Sequence, residues 1–122
     1  MKIEVKNIAQ AFSKIEEYWS PALLAQLNGQ DVRIAKLKGE FTWHKHDLED
    51  ELFLVIQGEL FIHLEDEVLQ IKTGEMVIIP RGVLHKPLAP EEVQVLLFEP
   101  TGTLNTGDQE NELTKRNLKD LR

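Results

Sequence analysis

The stretch that most constrains this chain runs from Gly39 to Gly58, GEFTWHKHDLEDELFLVIQG. Within eight residues it sets His44, His46 and the carboxylate of Glu51 ahead of a strongly apolar run, Leu52 to Ile56. Residues two apart on an extended strand project from the same face, so His44 and His46 point together. Glu51 follows a short turn, at the start of the next strand, and can fold back beside them. A second stretch, Gly74 to His85 (GEMVIIPRGVLH), carries one more histidine behind the turn Pro80-Arg81-Gly82, so three of the four histidines fall in these two stretches. Read alone, a His-x-His beside the acidic run HKHDLEDE is equally a surface feature. Asp47, Glu49 and Asp50 compete with Glu51 for the carboxylate role, Glu49 foremost. Cysteine is absent, so any metal must be held by nitrogen and oxygen. Three neutral imidazoles and one carboxylate suit Mn, Fe, Co, Ni, Cu or Zn and fit poorly with the oxygen preference of Ca or Mg.

The rest of the chain reads as short strands behind one helix. Apolar residues at Ile8, Ala11, Phe12, Ile15 and Trp19 trace one face of a helix over 7–18, with Asn7 as N-cap and Ser20-Pro21 as its end. Asn28-Gly29 between two apolar segments is a hairpin turn, because both residues accept positive φ; it predicts paired strands at 22–27 and 31–38. Further strands are predicted at 40–46, 51–57, 59–65, 68–71, 76–79, 83–87 and 92–99, with turns between them that include Ala89-Pro90. Many short strands at regular spacing indicate a sandwich or a closed barrel. Leu52–Ile56 and Val93–Phe98 are apolar on both parities, so something must cover their outer face, either the helix or a second copy, and a homodimer is expected. After Pro100 the tail is polar and charged, either frayed or waiting for a partner, with a weak helical edge over 111–121.

At 122 residues the chain is one domain: an N-terminal helix and hairpin (1–38), a barrel core with the histidines (39–99) and a polar tail (100–122). Its net charge of -7 argues against nucleic acid, which needs a basic face. No run approaches a membrane span, and MKIEVKNIAQ lacks the continuous apolar core of a secretory signal, so a cytoplasmic protein is expected.

Taken together, the two stretches resemble the two motifs of the cupin superfamily. Gly39, His44-x-His46, four residues, Glu51, six residues and Gly58 is similar to the first. Gly74, five residues, Pro80-x-Gly82, two residues and His85 is similar to the second, and 15 residues separate them. Two positions depart from the pattern: four residues, not five, separate Gly39 from His44, and Ala89 stands where the second motif usually has Asn. The resemblance implies an all-β double-stranded β-helix, a barrel whose open end holds a divalent transition metal on His44, His46, Glu51 and His85. The runs WHKHDLEDELFLVIQGEL and VQVLLFEPTGTLNTG further resemble small bacterial cupins often described as mannose-6-phosphate isomerase-like.

Around that site, parity turns Thr42, Phe53, Val55 and Gln57 inward and Trp43 outward. His63 lies outside both motifs and reads as a strand residue, Phe12 and Trp19 as packing, and Arg81 as a solvated turn residue. Two functions follow. One is a metal-dependent enzyme on a small molecule, dioxygenase-like or sugar-isomerase-like, although no base is evident beyond the ligands. The other is a non-catalytic module that binds or senses a metal or small ligand.

Overall fold

The computed structural model describes residues 2–122. One short helix, α1 (Ile8–Phe12), precedes eight strands: β1 (Ala22–Leu27), β2 (Gln30–Glu40), β3 (Glu51–Gln57), β4 (Glu59–His63), β5 (Val68–Lys72), β6 (Met76–Ile79), β7 (Lys86–Pro100) and β8 (Lys119–Asp120). The strands form one sheet in the order β5-β4-β7-β2-β1-β8, with β3 pairing both β7 and β6. This is the all-β double-stranded β-helix expected of the chain. No helix among the described residues is long and apolar enough to cross a membrane.

The spine is β7. It pairs β2 along nearly its whole length, β3 through its second half and β4 through its first residues. Its inward face, Val93, Val95 and Leu97, meets Ala35 and Leu37 of β2 and Phe53 and Val55 of β3 in the barrel core. Ala89-Pro90, expected as a turn, instead lies within β7. The register with β2 jumps there, from Gly39↔Ala89 to Leu37↔Val93, leaving Pro90, Glu91 and Glu92 bulged opposite Lys38. A proline lacks the N–H that a regular ladder needs, so the bulge absorbs it and bends the strand without ending it. Asn28 and Gly29 do form the predicted tight turn, at φ 51 and 76.

The helix is shorter than its apolar face suggested. Asn7 caps it as expected, its Oδ1 accepting from Gln10 N at 2.9 Å, but the chain leaves helical geometry after Phe12. The main chain is drawn instead towards β2: Trp19 N donates to Lys36 O at 2.9 Å and its indole Nε1 to Lys38 O at 2.8 Å. Phe12, Ala11 and Ile15 still bury against Leu24 and Ile34 on the outer face of β1 and β2.

Of the strands expected at 40–46 and 83–87, Glu40 ends β2 and Lys86 and Pro87 begin β7, while the remaining residues form only the bridge of His44 with His85. The tail forms no helix over 111–121 and does not fray. Lys119 and Asp120 pair in parallel with β1, Leu121 packs beside α1, and Thr103 and Thr106 are buried.

Candidate metal centre

The two histidine-bearing segments meet through their backbones. His44 N donates to His85 O at 3.0 Å and His85 N to His44 O at 2.9 Å, while Gly82 N donates to His46 O at 2.8 Å. These bonds occupy the main chain where longer strands were expected, and they hold three imidazoles against Glu51 at the head of β3. All four side chains are buried, and one ligand atom from each lies within 4.8 Å of all the others. The ring centroids of His44 and His85 are 4.3 Å apart, and those of His44 and His46 are 5.1 Å apart.

The outer nitrogens of two rings are already committed. His44 Nδ1 sits 2.9 Å from Thr42 O, and His85 Nδ1 sits 2.9 Å from Val83 O. A carbonyl only accepts, so each Nδ1 carries the proton and each Nε2 presents its lone pair to the centre. Thr42 thus serves through its carbonyl rather than its side chain. His46 Nε2 lies 3.3 Å from Glu51 Oε1, and His85 Nε2 lies 3.6 Å from the same oxygen. His46 Nε2, Glu51 Oε1 and His85 Nε2 are buried yet have no hydrogen-bond partner. Each such orphaned group costs about 1–3 kcal/mol, a penalty that a bound cation would remove. The donor set and its vacant lone pairs fit a divalent transition metal.

Burial and the neighbouring His85 depress the pKa of His44 to about 4, so its ring stays neutral. Burial also disfavours charge on His46, but the adjacent carboxylate of Glu51 outweighs it and raises that pKa. Burial alone would raise Glu51; the close approach of His46 and His85 holds it well below the usual carboxylate range.

The rival carboxylates are engaged elsewhere. Asp50 accepts from Arg81 N at 2.9 Å and faces its guanidinium, Asp47 lies 3.4 Å from Lys45 Nζ, and Glu49 Oε1 stays 4.0 Å from His46 Nδ1. Phe53 and Val55 turn inward as parity requires, but Gln57 is exposed, because the register with β7 shifts between Val55 and Gln57. Trp43 points away, with Lys86 Nζ 5.7 Å from its ring centre. His63 is an ordinary half-buried residue of β4.

Behind the centre is a cavity of about 30 Å³ with mostly apolar walls, among them Trp19, Phe41, Phe53 and Leu97, with His44, Glu51 and Glu99 at its polar end. Trp19 stacks on Phe41 at 4.7 Å, and Phe41 meets the edge of His44 at 5.3 Å. In front, His46, Leu48, Glu49, Leu104 and Asp108 border an open pocket of about 270 Å³.

Three features escaped the sequence reading. Glu99, on the inward face of β7, is buried beside Glu51, and its Oε2 has no partner. Its Oε1 accepts from Arg33 at 2.9 Å, and Arg33 in turn pairs with Asp31 at 2.8 Å and donates to Thr103 O at 2.8 Å. Burial, reinforced by the charge of Glu51, pushes the pKa of Glu99 well up in spite of Arg33. Its proton then lies between two facing carboxyl groups that cannot both ionise. Its parity with Val93, Val95 and Leu97 was the available signal. The third feature is the tail: Asp108 N donates to Lys45 O at 2.9 Å and Asp108 Oδ1 accepts from Lys45 N at 3.0 Å, which pins the segment between His44 and His46.

A β-barrel with three histidines and a glutamate converging at its mouth is the architecture of small metal-site barrels. The chain belongs to the cupin family, since the cupin-domain family model matches residues 31–99. Its fold is similar to a cupin-2 domain containing protein from Shewanella frigidimarina (41% identity, TM-score 0.78, 79% of this chain and 94% of that one). It is similar also to protein NMB1881 from Neisseria meningitidis (28% identity, TM-score 0.74, 80% of this chain and 100% of that one). The uncharacterized protein YdbB of Bacillus subtilis is 32% identical over 84 residues, covering 68% of this chain and 74% of its own.

Proposed function

We propose that this cupin is a metal-dependent enzyme on a small molecule, dioxygenase-like in its chemistry, with His44, His46, Glu51 and His85 holding a divalent transition metal. The observation that carries the reading is the convergence of three buried, unpartnered atoms, His46 Nε2, Glu51 Oε1 and His85 Nε2, on one point. Such an ion, when bound, supplies Lewis acidity or, as iron, oxygen activation. The chain's own residues supply the surroundings. The cavity behind the centre, about 30 Å³ and largely apolar, admits one or two small molecules and excludes a sugar. The front pocket, about 270 Å³, suits an organic molecule of roughly one ring. Trp19, Phe41 and Phe53 line the inner chamber, and the protonated Oε2 of Glu99 is placed to donate to a carbonyl or hydroxyl oxygen.

The sugar-isomerase-like alternative, which the likeness to the mannose-6-phosphate isomerase-like group suggests, needs polar partners for several hydroxyls. The inner walls offer few. A non-catalytic binding module is the second reading, favoured by the small size of the inner cavity. The test is elemental analysis and oxygen uptake on protein purified without a chelating tag, as wild type and His46→Ala. About one transition metal per wild-type chain, lost in the folded variant, with metal-dependent oxygen uptake on small hydroxylated compounds, supports the enzyme. Metal without turnover moves the assignment to the binding module, and no metal even after reconstitution removes both metal-dependent readings.

A further inference from the structure

The imidazoles of the centre are not held alike on their outer side. His44 Nδ1 meets Thr42 O and His85 Nδ1 meets Val83 O, in each case the carbonyl two residues before it, at 2.9 Å. The corresponding carbonyl for His46 is that of His44, which turns instead to His85 N at 2.9 Å. His46 Nδ1 is therefore left without a partner, on a side chain only 2% exposed.

That orphan has a definite chemistry. A neutral imidazole carries one N–H and one lone pair. His46 Nε2 lies on the inner side, 3.3 Å from Glu51 Oε1, so its lone pair is the one offered to an ion held there. The proton then sits on Nδ1, and a buried N–H without an acceptor is both rare and costly.

Most carboxylates around the ring are committed. Asp47 faces Lys45 Nζ at 3.4 Å, Asp50 accepts from Arg81 N at 2.9 Å, and Asp108 Oδ1 accepts from Lys45 N at 3.0 Å. The side chain of Glu49 makes no hydrogen bond among the described residues, and its ionic neighbour is His46 Nδ1, 4.0 Å from its Oε1. A movement of about 1 Å brings that pair to hydrogen-bonding distance. Glu49 has room to make it, because it lies on the loop ahead of β3 and borders the open front pocket.

We propose that Glu49 is a positioning residue of the metal centre, closing on His46 Nδ1 when Nε2 takes the ion. The inference rests on the metal assignment made above. Glu49 thereby supplies to His46 the outer bond that Thr42 O and Val83 O supply to the other two rings. A bond to a carboxylate is stronger than one to a carbonyl, so it fixes the ring and makes Nε2 a better donor. Glu49 is then the complement of Glu51 and not its rival. Because the same carboxylate borders the front pocket, a molecule seated there lies against the group that holds His46.

The test is zinc affinity, measured by competition with a chelator of known strength, on the full chain as wild type, Glu49→Ala, Glu49→Gln and Asp47→Ala. Circular dichroism and thermal melting check that each is folded. Affinity should fall about 10–100-fold in Glu49→Ala, as expected for losing such a partner. Glu49→Gln, whose amide oxygen still accepts, should recover most of that loss. Asp47→Ala removes an equal charge from the same loop but no partner of a ring, and should stay within about threefold of wild type. Nitrogen-15 NMR of the zinc-loaded protein adds a readout that a packing role would not move. The Nδ1 proton of His46 should be observable in wild type and Glu49→Gln and lost to exchange in Glu49→Ala. Equal affinity in wild type and Glu49→Ala, equal losses in Glu49→Ala and Asp47→Ala, or an indifferent Nδ1 proton overturns the proposal and leaves the metal site standing. A wild type that takes up no zinc overturns both, since a nitrogen and oxygen site that holds manganese or iron also holds zinc.

Discussion

The buried histidine His44 makes stability depend on pH between its folded and unfolded pKa values. His44 ionises in the unfolded chain near 6.5, but in the fold only at about 4. Between those values the unfolded state binds one more proton, so stability is complete above 6.5 and falls as the pH is lowered towards 4. The slope is about 1.4 kcal/mol per pH unit, so moving from pH 6.5 to 5.0 should remove about 2 kcal/mol. His46 has the opposite sign: its raised pKa gives stability that is already present below 6.5 and is lost at higher pH. Asp31, Asp50 and Asp108 have lowered pKa values, so their contributions fail only below the ordinary carboxylate value of 3.8. Glu99 acts in the opposite direction across the same interval, since its raised pKa lets the fold hold a proton that the unfolded chain gives up, so the share of His44 is the difference between wild type and a variant that lacks the imidazole. Urea unfolding of chelator-treated protein at several pH values in that interval measures it. His44→Asn is the control, since an amide can still donate to Thr42 O but does not titrate. An equal slope in the variant would show that His44 is not held neutral by its surroundings.

Two further perturbations separate the tail and the buried charges from the centre. A Cβ at Gly107 would meet Lys45 O at 2.2 Å, whereas one at Gly102 meets nothing within 4 Å, although both have positive φ. Gly107→Ala should therefore lose about 2–3 kcal/mol from strain and the broken Lys45–Asp108 pairing, and should bind metal more weakly, while Gly102→Ala loses about 1 kcal/mol from φ alone. Urea unfolding and a metal titration distinguish the two; equal losses would refute the clamp. Arg33→Met leaves Asp31 and Glu99 buried without their cation and should cost about 3–5 kcal/mol in the same assay. A loss under 1 kcal/mol would mean that Glu99 does not need Arg33's charge.

How much of this was legible follows from the range of each interaction. His44, His46, Glu51 and His85 could be named because their positions are set by strand parity and tight turns, which are local rules. The Asn28-Gly29 hairpin was legible for the same reason. The strands expected at 40–46 and 83–87 were misplaced because only their outer ends join β2 and β7, while His44 and His85 bridge to each other, a fact that belongs to two distant segments at once. Gln57 followed the parity of Glu51 on paper, but a register shift against β7 is invisible from β3 alone. The Ala89-Pro90 bulge was read as a turn because proline ends most ladders, and only the 15-residue pairing of β7 shows that it bends one instead.

The tail and the Arg33 network show why the centre cannot be understood from its four side chains. The His-x-His segment has only the bridge to His85 and the bond from Gly82 to fix one side of it, and a residue more than sixty positions away holds the other: Asp108 grips Lys45, the residue between the two rings. A buried Glu51 beside a buried Glu99 would repel it as a second anion. Arg33, held by Asp31 and Thr103 O, sits on the far oxygen of Glu99, and the proton stays on the near side. Glu51 is thereby left as the charged partner of His46 and His85, with lone pairs free for a cation. The same arrangement leaves the protonated oxygen of Glu99 at the wall of the inner chamber, where it can only donate, so a ligand that reaches it there must bring a hydrogen-bond acceptor.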